Sequence, residues 1–145
     1  MKTLLIFLIA VIPMQWGNDF ESAKKTAKEN NQLILLNFSG SDWCAPCIQT
    51  KKEYFENESF IKMAKDNLVL VNADFPRRKK NLLSLEQTKK NEALAEKYNK
   101  DGYFPYTLLL DANGKVIKSW KGKPDVSVEK WVGNIKAICE SNKKK

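Results

Sequence analysis

Ser41-Asp42-Trp43-Cys44-Ala45-Pro46-Cys47-Ile48 is the stretch that decides how this chain folds. Directly before it, Gln32-Leu33-Ile34-Leu35-Leu36-Asn37-Phe38 is short, apolar and bounded by polar residues, the pattern of a buried strand. Residues 39–42 read as the turn out of that strand, and residues 44–55 as a helix. Pro46 fits the first helical turn, because the amide it lacks has no intrahelical partner there. Cys44 and Cys47 then stand three apart on one helix face, where their sulfurs can close a small ring. A helix N-terminus offers unpaired amides and a favourable dipole to an anion. The anion here is the Cys44 thiolate, the form of cysteine that attacks. The pattern therefore predicts Cys44 as an exposed nucleophile and Cys47, one turn deeper, as the thiol that resolves the mixed disulfide.

Two plainer readings of the pair are half of a metal site and a structural staple. A zinc site wants four ligands, and the chain has 3 cysteines and 0 histidines. A staple across two residues removes little chain entropy. A third reading, from a different class, is a metal-binding or chaperone module in which the two thiolates hold a soft ion such as Cu(I). Met14 and Met63 are not placed near the pair by any spacing in the sequence. The absence of histidine excludes His-based metal sites and His acid–base catalysis.

Trp43-Cys44-Ala45-Pro46-Cys47 resembles the active-site motif of the thioredoxin superfamily. A second landmark supports the likeness: Phe104-Pro105-Tyr106-Thr107, followed by the strand-like Leu108-Leu109-Leu110-Asp111. The resemblance runs from about residue 16 to 138. It implies a thioredoxin-like α/β fold: a central mixed sheet, with a parallel βαβ half and an antiparallel ββα half, and helices on both faces. It also implies a cis Pro105 facing the cysteines, with the backbone beside it docking the partner's cysteine-bearing segment. The implied activity is thiol-disulfide exchange, with Trp43, Pro46, Phe104 and Pro105 supporting the site. No bound cofactor is implied, since the redox-active cysteines hold the electrons. The implied partners are protein disulfide or thiol substrates and a membrane electron donor that recharges the pair. Three departures stand out. Asn37 occupies the place where many thioredoxins carry a buried acid, so Cys47 must pass its proton to water or another group. Phe104 is bulkier than the usual residue before the proline. The turn at residues 39–42 is one residue longer than usual.

Downstream of the motif, Asn57-Glu58-Ser59 opens a helical stretch through Ile61, Met63 and Ala64. Leu68-Val69-Leu70-Val71-Asn72-Ala73-Asp74 is a second core strand, and the two strands around the active-site helix make a parallel βαβ unit. Pro76-Arg77-Arg78-Lys79-Lys80 is a concentrated basic loop. Such a run is usually a solvated connection, and otherwise a docking site for an acidic partner or an anionic membrane surface. It has no interleaved aromatic platform for nucleic acid. Residues 84–98 form an amphipathic helix with Leu85, Ala93, Leu94 and Tyr98 as its apolar positions. After Pro105, residues 106–111 form a strand, Asp111-Ala112-Asn113-Gly114 a hairpin turn, and residues 115–120 its antiparallel partner. Val128, Trp131, Val132, Ile135, Ile138 and Cys139 fall on one face of a last helix.

Upstream, Asp19 caps a helix to residue 30 with Phe20, Ala23 and Ala27 on one face. Residues 1–15 carry the pattern of a secretory signal peptide: Lys2, then an unbroken apolar run over residues 4–12, too short to span a bilayer comfortably. The alternative is a buried N-terminal strand. Residues 16–142 read as one domain and 143–145 as a frayed basic tail. Export places the protein in a periplasmic or secreted setting, where disulfides persist. At 145 residues the chain is long enough for one real core, and its 43% hydrophobic and 29% charged content is that of a globular protein. The net charge of +8 is spread along the chain, and a monomer is expected.

Overall fold

The computed structural model describes residues 14–143, and the apolar run of the expected signal peptide lies outside them. Helix α1 (Phe20–Asn30) leads into strand β1 (Leu33–Ser39). Helix α2 (Ala45–Thr50) follows and runs directly into a π-helical turn at Lys51–Phe55. Helix α3 (Glu58–Asn67) feeds strand β2 (Leu68–Asp74), and a 3-10 turn at Lys79–Asn81 precedes helix α4 (Leu85–Tyr98). Strands β3 (Tyr106–Leu110) and β4 (Val116–Lys121) and helix α5 (Val128–Lys143) complete the order. The starts of α1, α3 and α4 are set by side-chain caps. Asp19, Asn57 and Ser84 accept the backbone N–H groups of Ser22, Ser59 and Gln87 at 3.1, 2.9 and 3.1 Å.

The strands form one mixed sheet in the order β2-β1-β3-β4. β1 pairs parallel with β2, Leu33 opposite Leu68, and antiparallel with β3, Leu36 opposite Leu108. β3 and β4 are antiparallel, with a bulge between Leu109 and Leu110. This is the thioredoxin-like arrangement that the sequence implies.

β1 is buried along its whole length because both faces of the sheet are covered. Leu33 and Leu35 join a cluster with Phe60, Met63 and Ala64 of α3 and Trp131 and Ile135 of α5. Ile34, Leu36 and Phe38 point the other way, onto Phe20, Ala23 and Ala27 of α1. The central strand thereby fixes where its C-terminal end and the motif behind it must emerge.

Some details depart from the sequence reading. Gly17 forms an isolated parallel bridge to Val71, donating to Leu70 O at 2.8 Å and accepting from Asn72 N at 3.0 Å, so the segment before α1 lines the outer edge of β2. In α3, Phe60, Met63 and Ala64 are buried while Ile61 is half-buried, because the helix turns the Phe60 face inward. In α4, Leu85 is exposed, and the buried residue is Asn91. Its amide donates to Asp74 O at 2.9 Å and accepts from Gln87 Nε2 at 2.9 Å, which offsets the cost of burying it. The basic tail was expected from Lys143, but Lys143 closes α5 and donates to Asn67 Oδ1 at 3.1 Å. Gly114 makes the expected hairpin turn at φ 86°, a conformation that favours glycine.

Candidate active site

Strand β1 ends at Ser39, and Gly40 turns the chain so that Trp43 N and Cys44 N both donate to Gly40 O, at 3.3 and 2.9 Å. Cys44 becomes the N-cap of α2, and its Sγ accepts from Cys47 N at 3.2 Å. Cys47 lies inside the first turn, and its Sγ accepts from Gly40 N at 3.4 Å. The two cysteines are joined as a disulfide with their Cα atoms 5.2 Å apart. Ala45 and Pro46 are exposed on the surface of the turn.

The expectation of an exposed Cys44 is corrected for the disulfide form: Cys44 is 5% exposed and Cys47 3%. The Cys44 sulfur is turned back onto the helix by its bond to Cys47 and by the Cys47 amide. The two cysteines therefore differ in position along the helix, not in exposure.

Trp43 is anchored on all sides. Its indole Nε1 donates to Phe75 O at 2.7 Å, and its ring meets Phe104 edge to face at 5.4 Å. Gly40 is required beside it, because a Cβ there would fall onto the Trp43 ring. Phe104 also packs edge to face on Phe75 at 5.5 Å, so its bulk is absorbed by an aromatic group rather than left projecting. The Phe104–Pro105 peptide bond is cis, and Pro105 O accepts from Gly122 N at 2.8 Å.

Two carboxylates tie the loops around the motif together. Asp74, at the end of β2, accepts from Ser41 N at 3.0 Å, Ser41 Oγ at 2.5 Å and Phe75 N at 3.0 Å. Asp42 accepts from the backbone N–H groups of Arg77 and Arg78, both at 2.9 Å, and from Asn81 Nδ2 at 3.0 Å. The Arg77 amide leads the effects that hold the Asp42 carboxyl below its ordinary value of 3.8. The Arg77 guanidinium then lies over the Trp43 ring, 3.7 Å from its centroid. The sequence shows the basic run but not this placement. The signal that could have found it is the pairing of Asp42 with a basic loop across two parallel strands.

Beneath Cys47 lies a cavity of about 290 Å3, lined by Asn37, Ser39, Ser41, Asn72 and Lys51 among others. Asn37 donates to Asn72 Oδ1 and accepts from Thr107 Oγ1, each at 3.0 Å. The amide at the position of the usual acid is thus tied to both neighbouring strands, and Asn72 and Thr107 are site-floor residues that the sequence reading did not single out.

A thioredoxin-like domain model matches residues 20–132. The chain belongs to the thioredoxin-like family. It is 36% identical over 109 residues to the disulfide bond reductase DsbH of Chlamydia pneumoniae, covering 75% of this chain and 63% of that protein. It is 33% identical over 102 residues to the thioredoxin-related protein DsbJ of the same organism, covering 70% of this chain and 28% of that protein. The chain thus spans less than two thirds of either relative. A solved structure of DsbH oxidoreductase superposes with a TM-score of 0.79 at 28% identity, covering 97% of this chain and 94% of that one.

In this thioredoxin-like chain the third cysteine stands apart. Cys139 is a free, buried thiol on α5 within the cluster around Trp131. Burial pushes it from 9.0 up to about 11. A thiol held neutral is a poor nucleophile, so Cys139 should resist alkylation in the folded protein. Its raised value gives a signed pH effect. Below pH 9.0 both folded and unfolded forms keep the proton, and the contribution is flat. Between 9.0 and about 11 the unfolded chain ionises first, so stability falls as the pH rises. Cys139→Ala should remove that alkaline loss, leave the Cys44–Cys47 pair intact, and cost roughly 1 kcal/mol at neutral pH. Denaturant titrations of both proteins at neutral and alkaline pH check this. Loss of turnover with the fold intact would give Cys139 a redox role.

Proposed function

We propose that this chain is an exported thiol-disulfide oxidoreductase that reduces or exchanges protein disulfides through Cys44 and Cys47. The observation that carries the reading is the Cys44–Cys47 disulfide closed across the first turn of α2, beside the Trp43–Phe104 pair and the Pro105 loop. The name of the relative DsbH, a disulfide bond reductase, supports the direction. In the reducing cycle the Cys44 thiolate attacks one sulfur of a substrate disulfide. A Cys44–substrate disulfide forms, and the first substrate sulfur leaves as a thiolate and takes up a proton. Cys47 then loses its proton and attacks Cys44 Sγ. The second substrate thiolate leaves, and the Cys44–Cys47 disulfide remains. Two electrons pass to the substrate, whose two thiolates take up protons from water, and an external dithiol protein returns the electrons. The cavity under Cys47 is large enough for water, which gives the Cys47 proton a way out that Asn37 cannot provide.

The redox potential tests the direction of flow. Among the described residues, the hydrogen bonds to the two sulfurs come from backbone amides, those of Cys47 and Gly40. The Arg77 guanidinium lies over the Trp43 ring, not in a hydrogen bond to either sulfur. A strong oxidant needs a heavily stabilised Cys44 thiolate, and this supply is modest. The pair should equilibrate at roughly −200 to −270 mV rather than near about −120 mV. Equilibration in a defined dithiol buffer, followed by Trp43 fluorescence, gives the value. A result above about −150 mV would end the reductase reading.

Export rests on Lys2 and the apolar run over residues 4–12. N-terminal sequencing of the native protein should find a start within residues 15–19; a product that keeps Met1 would count against export.

A further inference from the structure

The loop after β2 carries a feature that thiol exchange alone does not need. Leu82 is 59% exposed, Leu83 36% and Leu85 72%. They follow Arg77-Arg78-Lys79-Lys80, all of them exposed. Scattered surface leucines need no explanation, but three within four positions form a patch. The loop is not slack. Asp42 holds it at the amides of Arg77 and Arg78 and at Asn81, and Asn81 N donates to Arg78 O at 2.9 Å.

Leu82 and Leu83 line a groove of about 400 Å3 together with Phe75, Phe104 and Trp43. Trp43 directly precedes Cys44, so one wall of the groove stands a single residue from the first cysteine. Of the two carboxylates on its lining, Asp74 is taken up by Ser41 and the Phe75 amide; Arg77 lines the same groove, and exposed Arg78, Lys79 and Lys80 follow it in the loop.

We infer that this groove docks the segment of a partner protein that flanks its reacting cysteine, and that it selects a large apolar side chain next to carboxylates. The inference rests on the proposed thiol-disulfide exchange and adds its substrate preference. The aromatic and leucine walls supply a pocket for one bulky side chain, and the basic run supplies complementary charge for its acidic neighbours. A groove with the Trp43 ring on its wall fits a polypeptide threaded past that ring better than a flat lipid surface. Pairing of backbone beside Pro105 would hold any partner, whereas this groove would distinguish between partners.

The test compares three disulfide-linked peptides with one cysteine core, reduced by the full chain with dithiothreitol as electron source. One is flanked by leucine and glutamates, one by leucine and lysines, and one by glycine and serine. The leucine–glutamate peptide should exceed the leucine–lysine peptide by about tenfold or more in kcat/KM, and the gap should shrink in high salt. Arg78→Ser/Lys79→Ser/Lys80→Ser protein should lose the charge preference, and Leu82→Ser/Leu83→Ser protein the preference for leucine. Equal rates on all three peptides would overturn the docking inference and leave the exchange activity standing. Equal rates together with binding of the chain to phosphatidylglycerol vesicles would overturn it in favour of a membrane contact. No turnover on any peptide would remove the exchange reading, and the docking inference with it.

Discussion

Cys44→Ser protein should lose dithiol-driven disulfide reduction by at least about a thousandfold, the scale seen when a covalent nucleophile is removed. A hydroxyl at the N-cap can still accept from Cys47 N, so α2 should keep its start and the fold its stability. The loss would therefore be chemical. Turnover of a protein disulfide, with far-UV circular dichroism as the control on folding, separates the two. Retained turnover would mean that the attacking sulfur is not Cys44.

Phe60→Ala should have the largest effect on stability, about 3–5 kcal/mol. Phe60 is fully buried in α3, and its ring lies 5.3 Å from Phe55, 5.7 Å from Trp131 and 6.5 Å from Trp16. These aromatics join the turn after α2 to α3, α5 and the segment before α1, so the cavity would open where four parts of the chain meet. Domains of this size are stable by about 5–15 kcal/mol, so the variant would be close to unfolding. Ile61→Ala, one position along on the half-exposed face, should cost no more than about 1 kcal/mol. Urea titrations of the two variants make the comparison, and similar losses would contradict the packing described for α3.

That pair of residues also shows where sequence reasoning stops. Strand β2 was legible residue by residue and β1 to within one position, because apolar runs bounded by polar turns admit few alternatives. The parallel βαβ unit, the hairpin at Gly114 and the face of α5 followed from period and turn chemistry in the same way. In α3, by contrast, Phe60 and Ile61 are both apolar, and only the direction of approach to the sheet decides which is buried. In α4 the apolar positions are so sparse that Asn91, satisfied by Asp74 O and Gln87, occupies the buried face while Leu85 stays outside.

The site divides similarly. Cys44, Cys47, Trp43 and Pro105 were marked by local motifs. Asn72, Asp74 and Arg77 come from β2 and the loop after it, and Thr107 follows the Pro105 landmark on β3; only the pairing of β1 with β2 and β3 brings them to the motif. By sequence alone, Asp42 is a charge two residues from Cys44 that would oppose its thiolate. In the fold it is engaged by two amides and Asn81, so its main effect is to seat the basic loop against the active site.

The division of roles between the cysteines is most directly tested by trapping. Reduced Cys47→Ser protein is mixed with a disulfide-linked peptide, digested without reductant and mapped by mass spectrometry. Without the resolving thiol, the expected product is one stable mixed disulfide, with the peptide attached at Cys44. A peptide attached at Cys139, or no adduct here while Cys44→Ser protein forms one at Cys47, would contradict the assignment of Cys44 as the attacking sulfur.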